Sequence, residues 1–83
     1  MLATITEKVL EIAADLFRLA PERINEHSSP ELIEAWDSVQ HLNLILALES
    51  EFNLQFEPEE IDQMKTIGDI SAIVFAKRDP RHG

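Results

Sequence analysis

The apolar residues fall into blocks separated by polar, proline-bearing stretches, and within each block they recur at helical spacing. Ile5, Val9, Ile12, Ala13, Leu16 and Phe17 repeat at three- and four-residue intervals, which lays them along one side of a helix. Thr4 and Glu7 have capping-box spacing and set the expected start at Thr4. Pro21 closes the pattern, because a proline disfavours helical backbone in the residue before it. The next block, Ser38 to Phe52, is apolar nearly all round. Leu44, Ile45, Leu48 and Phe52 make one stripe; Val39, Leu42 and Leu46 make another, on the side of Ser38. A helix of this kind sits centrally or offers an apolar strip to a partner. Asp37 suits its N-cap, and Gln40 three residues on repeats the capping-box spacing. Pro58 suits the first position of a short third helix, with Glu57 as cap and Ile61 and Met64 facing inward. Thr66 caps the last helix, with Asp69 three residues later. Ile67, Ile70, Ile73 and Val74 supply its buried face, and Lys77 and Arg78 complement the dipole at its end. Residues 80–83 read as a frayed tail.

Between the first two helices lies a loop from about Ala20 to Trp36. It holds the turn formers Pro21, Asn25, Ser28, Ser29 and Pro30. Ile24, Leu32, Ile33 and Trp36 are expected to pin it to the helices, and Ser29 before Pro30 suits one short helical turn. A loop of this length in so small a chain is functional or hides an element. No stretch alternates with period two, so no sheet is expected. The expectation is an all-α, four-helix bundle with a long first loop and a short third helix, one domain over residues 1–83.

Composition narrows the function. A chain of 83 residues buries a limited core and leaves little room for an enclosed cleft, which weighs against an autonomous enzyme. Sixteen acidic and seven basic residues leave a formal net charge of −9 (Lys+Arg 7, Asp+Glu 16). Such a surface repels nucleic acid and anionic membranes and speeds encounter with basic protein patches. The sequence contains no cysteine, which excludes disulfides and thiolate metal sites. The segment from Met1 to Glu7 has no basic stretch followed by an apolar run, and no apolar run approaches the ~20 residues of a membrane span. A soluble, cytoplasmic, monomeric protein is expected.

The candidate chemistry centres on Asp37-Ser38-Val39. A primary hydroxyl opens a helix just after a long loop, where free backbone N–H groups and the positive end of the dipole favour a phosphate ester. An acidic neighbour helps hold a metal ion that bridges to an incoming phosphate donor. Asp-Ser alone is weak, since both residues cap helices widely.

The surrounding order carries more weight. Trp36-Asp37-Ser38-Val39 leads into Ala47-Leu48-Glu49-Ser50-Glu51-Phe52. Pro21-Glu22-Arg23-Ile24 precedes it, and Pro58-Glu59-Glu60-Ile61 and Lys65-Thr66-Ile67-Gly68-Asp69-Ile70 follow. This succession resembles the acyl carrier protein family, of stand-alone type, over nearly the whole chain. The resemblance implies that Ser38 receives a covalent 4'-phosphopantetheine arm from coenzyme A through a phosphopantetheinyl transferase and magnesium, with Asp37 assisting. It implies acyl thioesters on the arm, presented to partner enzymes of fatty acid, polyketide or specialised biosynthesis. Those partners would be an acyl-loading ligase or acyltransferase, and a synthase and other acyl-processing enzymes with basic patches. Val39, Leu42, Leu46, Glu49 and Glu51 would face them. Leu46, Phe56, Ile61, Met64 and Ile67 would line an acyl pocket, which a bulky Ile61 would shorten against long chains. Gln40, Asn43 and Ser50 stand where acids are common in carriers of fatty acid synthesis, and Trp36 where a Gly-Ala pair often precedes the Asp. Both departures point towards a specialised pathway.

Rival readings stay in view. Ser38, His41 and Asp37 suggest a hydrolase, but no third group orients His41 and no oxyanion hole is evident. The three histidines are far apart, and Glu57, Glu59 and Glu60 lack the glycine-centred spacing of a calcium loop, so no metal site and no catalytic residue is expected. An unmodified helical interaction module using the Val39, Leu42 and Leu46 strip, and a peptidyl or aryl carrier of a nonribosomal peptide pathway, both remain open.

Overall fold

The computed structural model describes residues 2–78, so residues 80–83 lie outside it. Four helices run in the expected order: α1 (Leu2–Phe17), α2 (Ser38–Phe52), α3 (Pro58–Asp62) and α4 (Ile67–Arg78). A 3-10 turn at Pro21–Arg23 interrupts the first loop, and no strand occurs among the described residues.

Helix α1 packs on α4 and α2. Its contribution to the core is the stripe read from its spacing: Ile5, Val9, Ala13 and Phe17 are buried, joined by Ala14. Leu44, Ile45 and Leu48 of α2 and Ile67, Ile70 and Val74 of α4 complete the centre. Burying each large apolar side chain contributes about 1.5–3 kcal/mol, so these few residues supply most of the drive to assemble. Ser71 also lies inside, with its Oγ donating to the Ile67 carbonyl at 3.0 Å, which removes the cost of burying a hydroxyl.

The helix ends differ in part from expectation. Thr4 is inside α1, because Leu2 and Ala3 continue the helix backward; the Thr4–Glu7 capping box is therefore not the start. At the other end Arg18, at φ 59, stops the helix three residues before Pro21. The N–H of Leu19 then turns back to the Ala14 carbonyl at 2.8 Å. Helix α2 has the expected limits, closed by Asn53 in the left-handed region. Glu57 precedes α3, and the Glu60 carboxylate accepts the Glu57 N–H. Before α4 the Thr66–Asp69 box forms fully: the Asp69 N–H donates to Thr66 Oγ1 at 3.1 Å and the Thr66 N–H to Asp69 Oδ2 at 3.2 Å.

Lys77 Nζ reaches Glu60 Oε1 at 3.0 Å and ties α4 to α3. Desolvation works to raise the Glu60 carboxyl. The Glu57 N–H and the Lys77 ammonium outweigh it and hold the group below its ordinary value.

The long loop is tethered at several points. Ile24, Ile33 and Trp36 are buried, whereas Leu32 is 75% exposed, contrary to expectation. The reason is local. The N–H groups of Leu32 and Ile33 both donate to the Ser29 carbonyl at 3.0 Å, a single turn that aims Ile33 inward and Leu32 out. Further on, the Ile67 N–H donates to the Ser28 carbonyl and the Gly68 N–H to the Glu26 carbonyl at 2.8 Å. Gly68 suits this approach, since a Cβ there would stand 3.2 Å from that same carbonyl oxygen. The loop therefore docks on the start of α4 through backbone bonds that the hydrophobic pattern does not encode.

Candidate functional site

The junction of loop and α2 is built by three residues in succession. Trp36 is 2% exposed, with its ring 5.3 Å from that of Phe17, and this anchors the loop's end in the core. Asp37 turns extended, φ −93 and ψ −174, and its Oδ1 accepts the Gln40 N–H at 2.9 Å. Ser38 then opens α2 as an exposed residue. Only half of the Asp37–Gln40 capping box exists. Gln40 Oε1 accepts from Asn43 Nδ2 at 2.9 Å instead of reaching back.

The first N–H groups of a helix have no partner within it. Asp37 takes the one from Gln40, so those of Ser38 and Val39 lie beside the Ser38 hydroxyl at the positive end of a 15-residue helix. An exposed primary hydroxyl beside neighbouring N–H donors suits a phosphodiester, whereas the exposed Asp37 carboxylate, itself an anion, suits a bridging cation. The site fits a phosphate-linked arm held through Ser38.

His41 has a different employment. Its Nδ1 accepts the Trp36 Nε1–H at 3.0 Å, and the two rings stack at 6.0 Å between centroids. Burial lowers its pKa. With Nδ1 occupied as acceptor, the neutral ring carries its proton on Nε2. Neither nitrogen then offers a lone pair to the Ser38 hydroxyl, which removes the base that a hydrolase reading requires. The Trp36–His41 pair spans five residues across a helix start, and spacing alone gives no signal for it.

The other site residues divide into two groups. Val39, Leu42 and Leu46 are 67%, 57% and 62% exposed, an apolar row on α2 at three- and four-residue steps from Ser38's own side. Glu49 lies next to this row and its Oε2 accepts the Phe56 N–H at 3.0 Å, whereas Glu51 stands about 150° further round the helix, 3.8 Å from Lys8 Nζ of α1. Phe56, Met64 and Ile67 are buried together in the core, with Ile61 partly buried against them and Leu46 outside. Among the described residues no group of three or more acidic or histidine side chains is arranged to hold a metal ion. No helix among them is long and apolar enough to cross a membrane.

A four-helix bundle with a tethered first loop and an exposed serine opening its second helix defines a carrier domain, a scaffold for a flexible arm. The comparison with known proteins agrees: residues 7–74 match the family model described as phosphopantetheine attachment site. The chain belongs to the acyl carrier protein family, whose prosthetic group is a covalently attached 4'-phosphopantetheine. It is 40% identical over 67 residues to an acyl carrier protein of Thermosynechococcus vestitus, covering 80% of this chain and 82% of that one. It is 29% identical over 66 residues to an acyl carrier protein of Wolinella succinogenes, covering 80% and 87%.

Proposed function

We propose that Ser38 Oγ is the attachment point of the arm and that the chain holds acyl intermediates on it as thioesters for partner enzymes of a specialised biosynthetic pathway. The observation that carries this is the exposed Ser38 hydroxyl at the first position of α2, beside unpaired N–H groups and the capping carboxylate of Asp37. The chain's own residues supply the scaffold for this function. Their work is to hold the arm's root rigid and present a docking face. Asp37 fixes the helix start and leaves a second carboxylate oxygen, Oδ2, for the metal ion used by a phosphopantetheinyl transferase. The arm itself supplies the thiol that carries the acyl group, and tethering raises the effective concentration of cargo at each partner.

Val39, Leu42 and Leu46 form the proposed apolar docking strip, with Glu49 next to it and Glu51 further round the helix, for the transferase, an acyl-loading ligase or acyltransferase, and a synthase. Gln40 and Asn43, hydrogen-bonded to each other, leave the start of this face uncharged. That supports partners that depend less on acids along α2, and so a specialised pathway; we place the carrier in the cytoplasm as a monomer. The acyl chain would enter between α2 and α3, past the exposed Leu46 and in among Phe56, Ile61, Met64 and Ile67, with Ile61 limiting its length.

Incubation with a broad-specificity transferase, coenzyme A and magnesium is expected to add one phosphopantetheine by mass spectrometry. Ser38→Ala is expected to remain unmodified. An unchanged mass for the wild-type chain would leave an unmodified interaction module as the reading. Loading of the holo chain by ligases offered fatty, aryl and amino acids separates an acyl carrier from a peptidyl or aryl one.

A further inference from the structure

A groove of about 750 Å³ lies on the side of the molecule formed by α1 and the first part of the loop. Leu10 and Ala14 of α1 meet Leu19 and Ile24 of the loop on its floor. Along one edge stand Glu7, Glu11 and Asp15, at four-residue steps. None of its lining residues belongs to α2, α3 or α4. It is therefore separate from Ser38 and from the row Val39, Leu42 and Leu46.

Two features of this groove bear on what could fill it. Like charges four residues apart disfavour the helix that carries them. Yet Glu7, Glu11 and Asp15 form no ion pair among the described residues. Lys8 is engaged with Glu51, Lys77 with Glu60, and Arg78 over the Phe52 ring. No lysine or arginine lines the groove. An apolar floor beside an uncompensated acidic edge calls for a ligand with apolar and cationic sides.

The spacing specifies the ligand further. Four residues of helix rise about 6 Å, so the three carboxylates step along α1 in two equal strides. A second helix laid alongside presents Lys or Arg at its own four-residue spacing with the same stride. Its adjoining apolar side chains would then enter the floor between α1 and the loop. We infer that this groove is a second docking surface, which receives a basic amphipathic helix of a partner protein independently of the arm. A carrier built this way is held by one surface while α2 and the arm remain open to a catalytic partner.

The test uses the full unmodified chain, labelled for NMR, and a synthetic amphipathic helix as probe. The probe carries lysines at three positions four residues apart and leucines on the adjoining side. Saturable shifts at the amides of Leu10, Ala14, Leu19 and Ile24 are expected. The triple variant Glu7→Gln, Glu11→Gln, Asp15→Asn alters exposed positions only, and a native-like spectrum checks its fold. It is expected to bind about tenfold more weakly, as is the wild type at high salt. Ser38→Ala is expected to bind as the wild type does, so the groove and the attachment reading succeed or fail separately. Shifts confined to Val39, Leu42 and Leu46, equal binding of the triple variant, or the absence of saturable shifts would each overturn the inference.

Discussion

Asp37 caps α2 and has the proposed role of serving the transferase metal, and two substitutions separate the two. Asp37→Ala removes the acceptor that holds the Gln40 N–H at 2.9 Å. Loss of an N-cap side chain to alanine costs about 0.5–2 kcal/mol, typically ~1. Loss of the negative charge from the helix start adds about 0.3–1 kcal/mol, and the exposure of Asp37 to screening solvent favours the low end. For a chain of 83 residues each kcal/mol corresponds to roughly 4–8 °C in the melting midpoint. Asp37→Ala is therefore expected to lower the midpoint by about 5–10 °C. Asp37→Asn keeps an oxygen acceptor and loses only the charge, so its expected fall is about 2 °C. Thermal unfolding followed by circular dichroism measures both. In parallel, mass spectrometry follows the rate of phosphopantetheine transfer. If the free carboxylate oxygen holds the transferase metal, Asp37→Asn is modified far more slowly than the wild type although its fold is intact. Equal destabilisation by Asn and Ala would refute the capping account, and wild-type transfer to Asp37→Asn would refute the metal account.

Two further outcomes follow from the packing. Because burial lowers the His41 pKa, its contribution to stability is present above the ordinary imidazole value and is lost as pH falls through the folded value. Protonation places a hydrogen on Nδ1 and deprives the Trp36 indole of its acceptor. Emission from Trp36, the one tryptophan of the sequence, is expected to step on acidification, with the step absent in His41→Gln; a step that persists in the variant would exclude His41 as its source. Leu48, fully buried at the centre of α2, is expected to cost about 2–5 kcal/mol on change to alanine. That is a large share of the roughly 4–12 kcal/mol available to a chain of this size, and urea unfolding would report it as a lower midpoint at unchanged slope, whereas a loss below 1 kcal/mol would contradict its burial.

Much of the architecture was legible because it rests on short-range rules. The three- and four-residue recurrence of Val9, Ala13 and Phe17, and of Ile67, Ile70 and Val74, leaves one face apolar, and water drives that face inward. Proline and side-chain caps acting over three residues mark α3 and α4 at Pro58 and Thr66. Where the reading failed, a longer-range or purely backbone effect intervened. Leu32 looked like an anchor by its chemistry, but one turn of backbone at Ser29 directs it outward. Thr4 looked like a cap, but capping requires that the helix not already extend behind it.

Ser38 as the first residue of α2 and Asp37 as its cap were legible because capping is local. His41 was not, since its meaning depends on an indole that reaches it only after the loop has folded onto Phe17. The amino-acid sequence by itself determined four helices, their facing sides, the serine at the head of the second and the excess of acid. Only the tertiary structure decided that the long loop is bonded to the start of α4, and that His41 is held by Trp36. The groove formed by α1 and the loop, edged by Glu7, Glu11 and Asp15, belongs with these. The physical reason is that periodicity and capping act within a turn or two of chain. Which distant groups then meet depends on how whole elements exclude water together.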